Sequence, residues 1–213
     1  MIEMEALGRQ LRCPNGAEAK GVAEQMYRSN KGMIQNTLDS LKLHAGQHVL
    51  ELGIGNGRHI SALLKQAPDL HYTGVDISDA MLAEAASYNK AQAVHFIKVS
   101  GTGKLPLKDQ QFNCFFSVNT LYFWENIAFQ NQEIYRVLSP SALMALTYID
   151  KDFGEQLPFT QNGFQFRTSG EVEQMLWSAG FREVRTTKYT EHVLSSGKQE
   201  LKRPYYITLA HKP

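Results

Sequence analysis

Between residues 45 and 150, short apolar runs alternate with stretches of helical periodicity. His48–Leu52 (HVLEL) reads as a buried strand, and Ile60, Leu63, Leu64 and Ala67 then share one helical face. Tyr72–Val75 predicts a second strand, after which Ser78 can cap a helix carrying Met81, Leu82 and Ala85. Val94–Val99 and Phe112–Val118 read as the third and fourth strands. A helix follows through Ile134–Leu138 and is expected to stop at Pro140, and Ala142–Ile149 reads as the fifth strand. Strands alternating with helices in this way build a parallel sheet from βαβ units.

The flanks read differently. Residues 17–43 predict helix in two pieces, broken near Ser29–Gly32. Residues 150–168 form an excursion rich in Phe, Gly and Gln. Thr168-Ser-Gly-Glu171 then resembles a capping box, opening a helix with Val172, Met175, Leu176 and Ala179 on one face and Gly180 at its end. Glu183–Val193 and Tyr205–Ala210 are two strands with no helix between them. The loop Ser195-Ser-Gly-Lys198 makes them an antiparallel hairpin at the edge of an open, doubly wound sheet. No linker divides the chain, so a single domain is expected, with residues 1–44 as an N-terminal helical cap and 45–213 as the core.

Composition narrows the function classes. With 213 residues, 43% hydrophobic, the chain can bury a sizeable core. A formal net charge of +1 provides no strong field for nucleic acid or an anionic membrane. No apolar run is long enough to span a bilayer. The acidic start Met1-Ile-Glu-Met-Glu lacks an apolar signal core, so a cytoplasmic protein is expected. Cys13 and Cys114 match no metal-ligand spacing and read as reduced thiols.

The candidate chemistry lies where the first strand runs into Gly53-Ile-Gly-Asn-Gly57 and then into a helix. Strand, glycine turn and helix N-terminus together make a nucleotide-type site. Gly53 permits an unusual backbone angle, and Gly55 and Gly57 let a ligand approach the main chain. About 20 residues further on, Asp76 ends the second strand, where a carboxylate can accept from ribose hydroxyls. Dinucleotide enzymes place a third glycine where this chain has Arg58. Glu51, ahead of the loop, suits a cationic ligand and repels a diphosphate. A nicotinamide oxidoreductase is therefore the weaker alternative, and a non-catalytic binding protein on the same scaffold is another.

Val49-Leu-Glu-Leu-Gly-Ile-Gly-Asn-Gly57 resembles the first motif of the class I S-adenosylmethionine-dependent methyltransferases, and Gly74-Val-Asp-Ile-Ser78 with Met81-Leu82 resembles their second. Leu105-Pro-Leu, Gln111-Phe-Asn and Arg136-Val-Leu-Ser-Pro140 are similar to later landmarks of the family. The resemblance implies a Rossmann-like α/β fold with a seven-stranded sheet, its last strand antiparallel, and helices on both faces. It also implies S-adenosylmethionine as cofactor, held by Glu51, Gly53, Gly55, Asn56, Gly57, Asp76, Ile77, Met81, Ser100, Gly101, Thr102, Asn119 and Thr120. Where the family often has an Asp near the adenine amino group, this chain has Gly101, so adenine recognition is expected from backbone groups and the Ser100 or Thr102 hydroxyl.

A small-molecule acceptor is expected beyond the fourth strand, with Tyr122, Phe123 and Trp124 as walls and Met26 and Tyr27, on a lid with Pro14-Asn-Gly16 and Asn30, closing over them. No residue presents itself as general base. His95 reads as a packed strand histidine, and His192 as the histidine nearest the rim.

Overall fold

The computed structural model describes residues 4–90, 93–161, 163–194 and 200–213. In chain order the elements are α1 (Met4–Arg12), α2 (Ala19–Leu41), β1 (His48–Leu52), α3 (Ile60–Leu64), β2 (His71–Asp76), α4 (Asp79–Tyr88), β3 (Val94–Lys98), β4 (Phe112–Val118), α5 (Ile127–Val137), β5 (Leu138–Ile149), α6 (Lys151–Glu155), α7 (Ser169–Ser178), β6 (Arg182–Leu194) and β7 (Glu200–His211). The seven strands form one sheet in the order β3-β2-β1-β4-β5-β7-β6. β1 to β5 run parallel, while β7 pairs antiparallel with both β5 and β6. The expected fold class is thus observed, with β7 inserted beside β5 and β6 at the edge. The loop expected at Ser195–Lys198 lies outside the described residues.

Alternation along the strands divides the core between the two faces. Val49, Cys114, Phe116 and Ala145 pack with Leu38, Leu41, Ile60, Leu63 and Ala85 on the face covered by α2, α3 and α4. Leu50, Phe115, Met144, Leu146 and Tyr148 pack with Ile134, Val137, Val172, Leu176 and Phe181 under α5 and α7. Phe112 breaks the alternation because the β4–β5 register shifts between Phe112 and Cys114. Capping follows the sequence: Ser78 Oγ accepts from Met81 N (3.2 Å), and Thr168 and Glu171 form the full capping box of α7.

Two expectations are corrected, on α2 and on the end of α5, and two regions gain elements. α2 is one unbroken helix. Gly32 relieves contact with the β6–β7 hairpin instead of breaking the helix, since a Cβ there would lie 2.3 Å from Glu191 Oε2. α1 is an additional helix. α5 ends at Val137, three residues before Pro140, which lies inside β5. The excursion after β5 contains α6 and a single 3₁₀ turn, Pro158–Thr160. No helix among the described residues is long and apolar enough to cross a membrane.

One buried cation ties α2 to the hairpin. Arg203, 7% exposed, donates to Glu191 Oε1 from Nε (3.0 Å) and Nη2 (2.7 Å), and to the Ser29 carbonyl from Nη2 (2.6 Å). Arg203→Met leaves Glu191 without its counterion and is expected to cost about 3 kcal/mol in urea unfolding. A loss below about 1 kcal/mol would contradict this linking role.

Candidate functional site

The strand order reverses between β2-β1 and β4-β5, so the carboxyl ends of β1 and β4 open a crevice at the switch point. Gly53, Gly55 and Gly57 all have positive φ (80°, 54° and 67°). Their surroundings differ. A Cβ on Gly53 would lie 2.2 Å from Thr120 Cγ2, so Gly53 lets β1 meet the β4 loop. A Cβ on Gly57 would lie 2.7 Å from Ala85 Cβ, so Gly57 lets the turn meet α4. Gly55 has nothing within 4 Å and leaves its main chain open to the cavity.

Asp76 closes the other side of the loop. Its carboxylate is 8% exposed and accepts from Ser78 N (2.9 Å), with the Gly55 and Ile77 N–H groups also directed at it. Burial raises its pKa to about 6 against the lowering effect of those donors. Glu51, 3% exposed, lies 2.7 Å from His59 Nε2 and accepts from the Tyr72 hydroxyl. Burial, with Glu51 beside it, drives the Tyr72 pKa well up, so the phenol stays a donor.

Two hydrogen-bond chains order the end of β4. Trp124 Nε1 donates to Thr120 Oγ1 (3.2 Å), Thr120 to Ser117 Oγ (2.5 Å), and Ser117 to the Leu52 carbonyl (2.6 Å). Asn119, at φ 58°, accepts from the Tyr122 hydroxyl through Oδ1 (2.8 Å) and directs Nδ2 at Met33 Sδ (3.4 Å). The N-terminal helices cover the crevice. Arg12 pairs with Glu125, the Pro14 carbonyl accepts from Ser78 Oγ, and the Arg58 guanidinium lies 5.0 Å from the Tyr27 ring centre while pairing with Glu24 (2.6 Å).

One cavity gathers Glu51, Gly53, Gly55, Asn56, Asp76, Ile77, Met81, Ser100, Gly101, Asn119, Thr120, Phe123, Trp124, Met26, Tyr27, Pro14 and Asn30. Asn15 and Gly16 of the expected lid fall outside its lining, as do three of the cofactor and acceptor candidates. Gly57 packs on α4. Thr102 is exposed. Tyr122 is 4% exposed and packed at a tilt against Phe164 and Phe166, and its hydroxyl accepts from Ile149 N; it supports the wall from behind. Residues 17–43 supply more than a lid, because Met33, Thr37 and Leu38 are core. His95 is exposed on the edge strand. His192 is also exposed and lies 2.8 Å from Glu200, away from the cavity. His59, Arg12 and Gln130 line the cavity and were not singled out from the sequence, while Leu105, read only as part of a landmark, lines it too. The signal for His59 was weak: it is one of seven histidines, eight residues from its partner Glu51.

A family model described as a methyltransferase domain matches residues 50–146. The chain is 33% identical over 122 residues to the uncharacterized methyltransferase YdaC of Bacillus subtilis, covering 57% of this chain and 67% of the relative. Among solved structures it is similar to a chain of the complex between the Haloferax volcanii Trm112 methyltransferase activator and a methyltransferase. That likeness has a TM-score of 0.78 at 16% identity and covers 90% of this chain and 92% of that one. It is also similar to Haemonchus contortus phosphoethanolamine N-methyltransferase 2 in complex with S-adenosyl-L-methionine. There the TM-score is 0.74 at 14% identity, over 100% of this chain and 60% of that one.

A carboxyl whose folded pKa lies above its unfolded value loses stability as pH rises between the two. Asp76 therefore opposes folding above about pH 6. Asp76→Asn keeps an acceptor for Ser78 N, so the unliganded variant is expected to exceed the parent by about 2–3 kcal/mol at pH 8 and to match it near pH 4. Denaturant unfolding at the two pH values checks this. Equal stability at both would place Asp76 in an ordinary aqueous environment.

Proposed function

On the premise that the chain belongs to the class I S-adenosylmethionine-dependent methyltransferases, we propose that it methylates a small-molecule acceptor held beneath α1 and α2. The observation that carries this reading is a single covered cavity in which the open main chain at Gly55, the buried acid Asp76 and the apolar wall of Phe123 and Trp124 converge.

The residues present suit the cofactor. Asp76 is a buried acceptor with spare lone pairs, fit for ribose hydroxyls, and the N–H groups around it keep the carboxylate oriented. Gly53, Gly55 and Asn56 offer backbone without bulk, and Ile77 and Met81 give an apolar surface beside Asp76. The acid Glu51 favours a cationic end over a phosphate. When bound, S-adenosylmethionine supplies an electrophilic methyl group on a sulfonium.

The chain's own contribution is alignment and exclusion of water. Asn119 and Thr120 are each fixed by hydrogen bonds at the mouth of β4, so that edge of the cavity is rigid. Phe123, Trp124, Met26 and Tyr27 present faces that tolerate a cation and keep water out. Besides Asp76, given to the ribose, Glu51 and His59 are cavity residues able to take a proton from an acceptor, and their side chains lie within hydrogen-bond distance of each other. A small acceptor is supported by the cover of α1, pinned through Arg12–Glu125, and by the near-neutral charge. The free thiols Cys13 and Cys114 support a reducing, cytoplasmic setting.

Two measurements test this. Calorimetry with S-adenosylhomocysteine is expected to give a micromolar affinity that falls by about 100-fold in Asp76→Ala; an unchanged affinity would remove Asp76 from the site. Incubation of a cell extract with methyl-labelled cofactor is expected to put label into the low-molecular-weight fraction. Label confined to protein or nucleic acid would overturn the small-molecule reading.

A further inference from the structure

The segment after β3 gives the cavity little with which to read a heterocycle. Gly101 has no side chain. Ser100 Oγ is engaged in its own turn, accepting from Gly103 N (3.0 Å) and Thr102 N (3.4 Å). Thr102 faces solvent. Val99, Ile77 and Leu105 are apolar.

α5 brings a different group to the same place. Glu133 accepts from Leu105 N (2.9 Å), and Arg136 donates to the carbonyls of Leu105 (3.1 Å) and Leu107 (2.9 Å). This clamp holds the helix against the stretch that follows Gly103. One turn ahead of Glu133, Gln130 lines the cavity together with Ser100, Gly101, Gly103 and Leu105. Gln130 is 5% exposed, and its Nε2 has no hydrogen-bond partner among the described residues. A buried donor left unpaired is costly, and folded proteins keep few of them. The helix is well fixed, since Asn126 caps it by accepting from Phe129 N (3.0 Å), and Gln130 N donates to the Asn126 carbonyl (2.9 Å). The main chain that carries the unpaired amide is therefore fixed beside the cavity.

We propose that Gln130 reads the adenine edge of the bound cofactor, its carboxamide donating to a ring nitrogen and accepting from the exocyclic amino group. The proposal rests on the reading of the cavity as the S-adenosylmethionine site. A glutamine amide matches adenine in this two-point manner, one donor against one acceptor and the reverse. It is also neutral, so it can occupy this apolar corner without a counterion, where a carboxylate would need one. Gln130 thus takes the recognition role left open by Gly101, from a helix instead of from the loop.

The test is titration calorimetry of the full chain with S-adenosylhomocysteine and with its analogue lacking the purine 6-amino group. The parent protein is expected to prefer the amino compound by about tenfold or more. In Gln130→Leu and Gln130→Met the preference is expected to fall to about twofold or less. Both unliganded variants are expected to melt no lower than the parent, because the deleted donor had no partner. A preference that survives in the variants, or an equal weakening of both ligands, overturns the assignment. So does a parent protein that binds both compounds equally, or a sharp drop in the unliganded melting temperature of both variants, which would make Gln130 a packing residue. A parent protein that binds neither compound refutes the cofactor reading itself.

Discussion

The site is organised around a carboxylate buried at the tip of a parallel strand. Asp76 sits where β2 ends, within reach of N–H groups from its own turn and from the glycine loop after β1. Those donors hold its orientation, and burial holds its pKa near 6, so the unliganded protein keeps a partly neutralised acid facing the cavity. A group of this kind weakens the empty fold and is compensated when donors arrive, as expected of a binding residue in a marginally stable domain. The surrounding geometry serves the same end. Gly53 and Gly57 allow the loop to pass close to Thr120 and Ala85, which brings Gly55 level with the acid.

The remaining walls are fixed by hydrogen bonds that cross between elements. The chain Trp124–Thr120–Ser117–Leu52 joins the end of β4 to the end of β1, and Tyr122 links Asn119 to Ile149 on β5. Cover comes from α1 and α2, held by Arg12–Glu125 below and by Arg203 with Glu191 and Ser29 behind. The core strands therefore set the positions of the groups that line the cavity, and long-range polar contacts set its cover. A rigid floor beneath a separately anchored cover is suited to admitting an acceptor and then excluding water.

Much of this was legible in the sequence. Short apolar runs, helical stripes and the capping residues Ser78 and Thr168 placed most elements of the sheet and its helices, because local pattern and tertiary burial agree there. Disagreement arose where a residue's local preference is overruled from a distance. Gly32 breaks helices in isolation, yet here it admits Glu191 from the hairpin. Pro140 is tolerated in β5 because the pairing with β4 is irregular at that end, between Phe112 and Cys114. In the site, the glycine loop and Asp76 were readable because a motif of fixed spacing carries them. His59, Arg12 and Gln130 were not, because each reaches the cavity through a fold contact with no sequence signature. Arg136, noticed only as part of a landmark, acts by clamping Leu105 and Leu107 to α5.

A ligand that donates hydrogen bonds to the ionised Asp76 carboxylate must displace its proton, and this is measurable as proton release. Calorimetric titration of the protein with S-adenosylhomocysteine, repeated in buffers of different ionisation heat, counts protons exchanged on binding. At pH 5, where unliganded Asp76 is mostly protonated, binding is expected to release close to one proton, and at pH 8 about none. Tight binding with the same proton count at both pH values would show that the ligand does not engage Asp76, and the site would have to be rebuilt around another group.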